Sequence, residues 1–248
     1  MTTIYLALSS NANAQSTLRD LDWSKCELGV LVSFHYIKPF EASERTGPIR
    51  AKKFMLDSGA YSAWNAGVSV DIDALVKESK KPRWTESVAL DVIGSPEGSL
   101  KNALYMKACG SNAFPVFHYG EPWDLLKEYK KHFWKVGLSC LLGEPLAKSK
   151  KWLEQCFAHA WPCRFHSFGW TSRDILMSFP FHSADASTWE MGPTAFGMWG
   201  AFGRKRLSIN NKTLRATPGV LRAEVEVFER LQRDLRSRWA KEANRWTD

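Results

Sequence analysis

The chain has 248 residues, a hydrophobic fraction of 44% and a formal net charge of +8. This length suits one large domain or two small ones, and the apolar content is sufficient for a core. The odd number of cysteines, five, argues against a secreted disulfide framework, and the sequence shows no signal peptide or membrane-spanning apolar run. We therefore expect a cytoplasmic protein, and the surplus of positive charge favours a polyanionic partner.

Short apolar runs typical of strands recur along the chain, and each is followed by a polar turn. The predicted strands are Ile4–Ala7, Gly29–Phe34, Phe54–Leu56, Val88–Asp91, Phe114–Phe117, Trp134–Leu138, Arg164–Phe168 and His182–Asp185. Helical segments are predicted between most of them, at 72–80, 97–108, 123–132, 145–158 and 172–178. This alternation indicates βαβ units in an α/β fold, and the strand number favours a closed (β/α)8 barrel of the TIM type. No clear helix is predicted between residues 38 and 50.

The composition changes after Trp189, where "GMWGAFGRKRLSINNKTLRATPG" is glycine-rich, aromatic and basic. A long helix is predicted from Val220 to Asn244. Its apolar stripe consists of Leu221, Val225, Phe228, Leu231, Leu235 and Trp239. We therefore predict one barrel domain over residues 1–248, in which 197–248 form a basic loop and a helix packed on the barrel.

Polar side chains stand at the carboxyl ends of the predicted strands, where barrel enzymes carry their chemistry. They are Asp57, Asp91, His118, Ser139, His166 and Asp185. A single aspartate after a strand is more often a helix N-cap than a catalyst. Three carboxylates and two histidines at one rim favour an active site.

Six segments resemble, in the same order, motifs of the tRNA-guanine transglycosylases. They are "LDSGAYS" (56–62), "ALDVI" (89–93), "FPVFHYGE" (114–121), "VGLSCLLGE" (136–144), "FHSFGWTSRDIL" (165–176) and "SADAST" (183–188). The resemblance covers roughly residues 50 to 190 of the chain. The "DSGA" turn looks most like that of the compact phage-type DNA transglycosylases, which install 7-deazaguanine bases.

The resemblance implies exchange of a guanine base in nucleic acid without a cofactor. Asp185 would be the nucleophile that attacks the sugar, and Asp57 the general acid and base. Tyr61 would stack on the base, Ser58 would allow its close approach, and Asp91 would accept hydrogen bonds from its Watson–Crick edge. The other substrate contacts predicted are His118, Ser139 and His166. Independently of the resemblance, base exchange with retained configuration needs a nucleophile and a proton shuttle.

The sequence also departs from the family pattern. His118 stands where the family has the glutamine of "VQGG", and His166 replaces the methionine that sandwiches the base. The family's CxCxxC zinc signature is absent, and we predict no metal site. Cys156, His159 and Cys163 are close in sequence to His166 and are residue types that zinc accepts, so a metal there stays open as an alternative.

The basic segment after the barrel is predicted to bind nucleic acid, because it interleaves cations with aromatic rings. Its candidate residues are Trp199, Phe202, Arg204, Lys205, Arg206, Lys212 and Arg215. A solvated loop is the plain alternative. A base inside a duplex cannot reach a barrel-top pocket, so it must be flipped out or single-stranded. With no RNA-binding domain after the barrel, DNA is favoured over tRNA as the partner. The incoming base would be a 7-deazaguanine such as a queuosine precursor, and the site of action the host cytoplasm if a phage encodes the chain.

Two other functions stay open. A metal-dependent barrel hydrolase would use His118, His166 and Asp185 as ligands, although the usual His-x-His pair on the first strand is missing because His35 stands alone. A non-catalytic nucleic-acid-binding barrel subunit is the second alternative. Such proteins usually lose the nucleophile, whereas Asp57 and Asp185 are both present here.

Overall fold

The computed structural model describes residues 2–139, 145–196, 198–199, 207–208 and 217–243. One sheet contains nine parallel strands: β1 (Thr3–Leu8), β2 (Gly29–Ser33), β3 (Phe54–Asp57), β4 (Glu86–Val88), β5 (Ala113–Phe114), β6 (Val116–His118), β7 (Lys135–Ser139), β8 (Arg164–Phe168) and β9 (Ser183–Ala186). They lie in the order β5-β4-β3-β2-β1-β9-β8-β7-β6. A separate antiparallel pair is formed by β10 (Met198–Trp199) and β11 (Leu207–Ser208).

The two edge strands of the large sheet, β5 and β6, are consecutive in the chain and are separated by Pro115 alone. Proline has no N–H to donate, so the ladder breaks there, while the Pro115 carbonyl accepts a hydrogen bond from Gly137 N–H at 2.8 Å. β5 pairs with β4, and β6 pairs with β7. Residues 113–118 thus act as one interrupted strand that joins both edges, and the sheet closes into the predicted (β/α)8 barrel.

Helices surround the barrel. They are α1 (Ala12–Arg19), α2 (Ile37–Glu44), α3 (Ala60–Asn65), α4 (Ile72–Ser79), α5 (Pro96–Ala108), α6 (Trp123–His132), α7 (Leu146–Ala160), α8 (Arg173–Ser178), α9 (Thr188–Phe196) and α10 (Pro218–Ala243), with a 3₁₀ turn at Phe34–Tyr36. Within the described ranges, no helix combines the length and the apolar character that crossing a membrane requires.

The sequence-based predictions match most of these elements and miss some. The fourth strand was predicted at Val88–Asp91, but β4 ends at Val88, which leaves Asp91 in the following loop. The expectation of no helix between residues 38 and 50 is wrong, because α2 contains Pro39 only in its first turn, where proline is tolerated, and buries Phe40. Helices α1, α3 and α9 were not predicted.

Side chains alternate between the two faces of each strand and form two apolar layers. The interior of the barrel holds Tyr5, Leu31, Met55, Val88, Phe114 and Val116. Two glycines make room for aromatic rings in this interior. A Cβ on Gly29 would lie 2.3 Å from Tyr5 Cδ1, and one on Gly137 would lie 2.5 Å from Phe168 Cε2. A larger second layer packs between the strands and the surrounding helices.

The long C-terminal helix, α10, packs against α1, α8, α9 and β1. Its apolar stripe from Leu221 to Trp239 is buried, which confirms the predicted packing on the barrel. Gln232, also buried, accepts a hydrogen bond from Ile4 N–H at 2.6 Å and donates one to the Glu27 carbonyl at 3.0 Å. The helix therefore contributes polar contacts to the first strand as well as apolar ones.

Candidate active site

A cavity of about 490 Å³ opens at the carboxyl ends of the strands. Its lining residues are Asp57, Ser58, Ala60, Tyr61, Val88, Asp91, Ile93, Val116, His118, Ser139, Phe168 and Gly169. Six of the eight catalytic and substrate-binding residues expected from the sequence are in this set; the exceptions are His166 and Asp185. The barrel thus gathers residues from strands far apart in sequence around one space of the size of a small-molecule site.

Asp57 ends β3, and a tight turn follows it. The Gly59 N–H donates to Oδ2 of Asp57 at 2.9 Å. Gly59 has φ of 74°, and a Cβ there would lie 2.7 Å from the backbone nitrogen of His35. Glycine is therefore required both by the backbone conformation and by the lack of space. The "DSGA" segment bends back on itself and supplies an N–H donor to its own carboxylate.

The surroundings of Asp57 destabilise the charged form of its carboxyl group. Burial raises the pKa of Asp57 to about 6, although the hydrogen bond donated by the Gly59 N–H works in the opposite direction. The charges of Asp185 and Asp91 raise the pKa of Asp57 further, so both of these carboxylates act on Asp57. A carboxyl group whose pKa lies near neutral pH is suited to both donating and accepting a proton.

Asp185 is the third residue of β9 and pairs in register with Tyr5 of β1. Its side chain is 15% exposed, and burial raises the pKa of Asp185 to about 7 despite hydrogen bonds from backbone N–H groups, including that of Gly169. Gly169 lines the cavity, so the carboxylate lies directly behind the cavity wall. Within the described parts of the chain, no lysine or arginine forms an ion pair with Asp185 or with Asp57.

His166 is fully buried beneath Asp185 and does not line the cavity. Its Nδ1 lies 2.7 Å from Ser183 Oγ, and its Nε2 lies 3.4 Å from Asp185 Oδ1. Burial holds the pKa of His166 well below its usual value, so the ring is neutral. On the strand β8 it is Phe168, two residues later, that lines the cavity, and the contact of His166 with the substrate stays a prediction.

A second polar group forms the opposite wall. His118 Nε2 lies 3.3 Å from Asp91 Oδ2, and the backbone N–H of His118 donates to Glu121 Oε2 at 2.7 Å. Burial by itself lowers the pKa of His118, but the hydrogen bond and charge of Asp91, with Glu121, raise it above its usual value. Glu121 was not predicted as a site residue, although it closes the "FPVFHYGE" segment.

Aromatic and apolar side chains complete the site. Tyr61 and Trp64 are 62% and 60% exposed on α3, with ring centroids 6.3 Å apart. Ile93 and Phe168 add apolar surface to the lining, and neither was predicted. The period-two alternation of strands signals the place of Phe168, because His166 and Phe168 must point to the same face of β8.

The predicted nucleic-acid segment lies mostly beyond the described residues. Trp199 is described by its backbone in β10, where it pairs with Leu207. The others, Phe202, Arg204, Lys205, Arg206, Lys212 and Arg215, lie outside the described residues. Their role in binding nucleic acid stays a prediction.

The possible metal ligands are not brought together. Among the described residues, no group of three or more His, Cys, Asp or Glu side chains is placed to hold a metal ion. The His159 ring stacks on Trp123 with centroids 4.5 Å apart, while Cys156 and Cys163 are buried and their pKa is raised by burial. His118 is paired with Asp91 rather than with His166 and Asp185 as the hydrolase alternative requires.

Comparison with known proteins identifies the fold. No protein-family model matches the sequence, and no curated protein matches it significantly. Among solved structures, the chain is similar to a point variant of the tryptophan synthase alpha-subunit from Pyrococcus furiosus, with a TM-score of 0.56 and 12% identity over 91% of this chain and 96% of that chain. A second variant of the same subunit gives a TM-score of 0.56 and 11% identity with the same coverage. At this identity the likeness shows a TIM-barrel fold and nothing more.

Proposed function

We propose that the chain is a base-exchange transglycosylase that replaces guanine in nucleic acid, DNA in preference to tRNA, with a 7-deazaguanine. The observation that carries the proposal is the pair Asp57 and Asp185. Both carboxyls are partly buried, Asp57 in the cavity lining and Asp185 behind it; they have raised pKa values of about 6 and about 7 and no cationic partner among the described residues. Two such groups suit retaining chemistry, which needs one nucleophile and one proton carrier.

In the proposed reaction the Asp185 carboxylate attacks C1′ of the target nucleotide. The C1′–N9 bond breaks, its electron pair goes to the guanine, and the protonated carboxyl of Asp57 donates a proton to the leaving base. The ester between Asp185 and the sugar then persists until a 7-deazaguanine enters. The new base gives its N9 proton to Asp57 and attacks C1′, which releases Asp185 as a carboxylate and restores both groups.

The charge of Asp185 contributes to the raised pKa of Asp57. Burial raises the pKa of Asp185 to about 7 and that of Asp57 to about 6. The proposed roles require a proton on Asp57 and none on Asp185 once the base is bound. An exchange of roles, with Asp57 as the nucleophile, is therefore the direct competitor and is separated by experiment below.

The cavity walls support recognition of a purine nucleotide. Tyr61 offers an exposed ring at the cavity mouth, which can stack on a base. Asp91 and His118 stand together on the wall, where a carboxylate can accept hydrogen bonds from the N–H groups of guanine. The cavity has the volume of a typical small-molecule site, which accommodates a flipped nucleotide.

The test is incorporation of a labelled base. The purified protein is incubated with single-stranded DNA, duplex DNA or tRNA, each with labelled guanine or with labelled 7-deazaguanine precursors. We expect label in DNA and a denaturation-resistant protein–DNA adduct. Asp185→Ala should abolish both, whereas Asp57→Ala should slow turnover and still allow some adduct. Asp124→Asn, on the exposed face of α6, is the matched control and should behave as the wild type.

The opposite pattern, an adduct with Asp185→Ala and none with Asp57→Ala, would show that the roles are exchanged. Full turnover by both variants would refute the mechanism. Label found in tRNA alone would support the base exchange but show that tRNA, not DNA, is the substrate.

A further inference from the structure

A second cavity, of about 460 Å³, lies between the loop after β6, the start of α6 and the first ten residues of α7. Its lining residues are Tyr119, Gly120, Glu121, Trp123, Lys148, Lys151, Trp152 and Gln155. It therefore combines three aromatic side chains with two lysines on one helix. Apart from Glu121, none of these residues has a part in the site described above.

One loop separates the two cavities. His118 lines the first cavity, and the next three residues, Tyr119 to Glu121, line the second. The loop is fixed to the barrel, because Tyr119 N–H donates to the Ser139 carbonyl at 3.0 Å. Because consecutive residues of this loop line the two cavities, the cavities are neighbours. A polymer whose one unit occupies the first cavity can therefore place the adjacent unit in the second.

The aromatic part of the second cavity is preorganised. Trp152 is buried and stacks on Phe117 with centroids 5.9 Å apart and an interplanar angle of 11°. The Trp123 ring contacts those of Phe117 and His159, at centroid distances of 5.7 and 4.5 Å. Rings fixed by their neighbours lose little conformational entropy when a ligand stacks on them.

The charged part suits a phosphate. Lys148 and Lys151 are three residues apart on α7 and so lie on the same face of that helix. The Lys148 Nζ lies 5.1 Å from the centroid of the Tyr119 ring, which places a cation beside a stacking surface. The acid in the lining, Glu121, accepts the His118 N–H, so its carboxylate is engaged by the loop. Cations next to aromatic rings are the arrangement that single-stranded nucleic acids require.

We propose that the second cavity binds the nucleotide adjacent to the target in single-stranded DNA, with its base on Tyr119 and Trp123 and its phosphates on Lys148 and Lys151. This inference rests on the proposed function, since it takes the first cavity to hold the target nucleotide. It implies that the substrate is a polynucleotide: a free nucleoside fills the first cavity alone and makes none of these contacts.

The test is binding measured by fluorescence anisotropy, without turnover. The probe is a labelled six-nucleotide single-stranded DNA with one central guanine among thymines, and unlabelled deoxyguanosine is the competitor. Loss of two phosphate contacts in Lys148→Ala/Lys151→Ala should make the salt slope for the hexamer shallower by about 1.4 and weaken binding about 25-fold at 0.1 M salt. Tyr119→Ala should weaken hexamer binding about 5- to 150-fold without changing the slope. Neither variant should alter competition by deoxyguanosine.

The matched control is Lys127→Ala/Lys150→Ala, which removes the same charge from α6 and α7 at positions that do not line the cavity. It should retain the wild-type affinity and slope, and melting curves check that every variant is folded. Wild-type hexamer binding by Lys148→Ala/Lys151→Ala, or equal losses for the hexamer and deoxyguanosine, would overturn the inference. Tighter binding of the corresponding RNA hexamer would overturn the assignment to DNA. Specific hexamer binding without any base exchange would defeat the proposed function and leave the binding site standing.

Discussion

The two ends of the barrel interior differ in whether a charged side chain has a partner of opposite charge. At the amino ends of the strands, Lys135 is fully buried, forms an ion pair with Glu86, and holds its Nζ 4.3 Å from the centroid of the Phe114 ring. At the carboxyl ends, Asp57 and Asp185 are partly buried and have no lysine or arginine partner among the described residues. Charges that neutralise each other maintain the fold, whereas uncompensated charges of one sign reduce stability and are retained for chemistry.

The largest effect is expected from breaking the pair at the amino end. Burial lowers the pKa of Lys135 to about 8, and Glu86 acts in the opposite direction and keeps the amine charged at neutral pH. Lys135→Met leaves the Glu86 carboxylate buried without its cation. We expect a loss of about 3–5 kcal/mol in the free energy of unfolding, measured by urea denaturation at pH 7.

The double variant Lys135→Met/Glu86→Gln is the control for this prediction. It removes both charges, so it should recover most of the loss. A single Lys135→Met variant within about 1 kcal/mol of the wild type would mean that the pair does not act as a unit.

The next largest effect is expected at the carboxyl ends of the strands, where removing a charge should stabilise the fold rather than destabilise it. Because the pKa of Asp185 is raised to about 7 in the folded state, the native protein binds a proton that the unfolded chain has released. Stability from this group is therefore fully present below the unfolded pKa and declines as pH rises towards about 7. Asp185→Asn should stabilise the fold by up to about 4 kcal/mol at pH 8 and by only about 1 kcal/mol at pH 4.5.

Thermal and urea unfolding across this pH range measure the gain. Asp57→Asn should show the same trend with a smaller maximum, up to about 3 kcal/mol, since the pKa of Asp57 is raised only to about 6. Asp124→Asn removes an exposed carboxylate whose pKa is lowered by hydrogen bonding to Lys127, so it should give no gain at pH 8. A pH-independent effect of Asp185→Asn would contradict the buried, uncompensated charge.

Two glycine substitutions should distinguish the two ends of the barrel through side-chain packing rather than through charge. Gly29→Ala and Gly137→Ala each force a methyl group against an aromatic ring, Tyr5 and Phe168 respectively. Both should lose about 1–3 kcal/mol of stability. Only Gly137→Ala should also change ligand binding in the first cavity, because Phe168 lines that cavity and Tyr5 does not. Equal binding by the two variants, measured with deoxyguanosine, would show that Phe168 does not shape the site.

The smallest effect on stability is expected at the cavity wall. His118 and Asp91 are 36% and 13% exposed, so their pair is screened by solvent. His118→Gln should change stability by less than about 1 kcal/mol. It should nevertheless remove any step in ligand affinity that lies above the ordinary pKa of histidine and follows the raised pKa of His118. A wild-type pH profile in this variant would assign that step to Asp57 and Asp185 instead.

Much of the site could be predicted because the carboxyl ends of all strands in a parallel barrel lie at the same rim. Asp57, His118 and Ser139 end β3, β6 and β7, and they line the cavity for that reason alone. The stripe of α10 follows equally from its helical spacing. Position within a strand was harder to predict. His166 and Phe168 share one face of β8, and only the stagger of the closed barrel decides which of them reaches the cavity.

The remaining features depend on contacts that are distant in sequence or on residues that weaken local signals. Helices α2 and α9 contain Pro39 and Pro193, which obscure their periodicity. The closure of the sheet at Pro115 is visible only once β5 and β6 are seen to pair on opposite sides. The second cavity joins a loop after β6 to lysines on α7, and no local pattern in the sequence connects them.

The hydrogen bond between Ile4 and Gln232 can form only late in the synthesis of the chain. The two residues are 228 positions apart, and the other edge of β1 pairs with β9, where Thr3 lies opposite Ser183. At about 5–20 residues per second, a ribosome needs roughly 10 to 45 s to make the helix that completes the first strand. Until β9 is made, for most of that interval, the nascent chain carries an open strand edge, which is a template for aggregation. A chaperone that shields this edge during translation should raise the yield of folded protein, and a chain terminated before α10 should lose most of that yield.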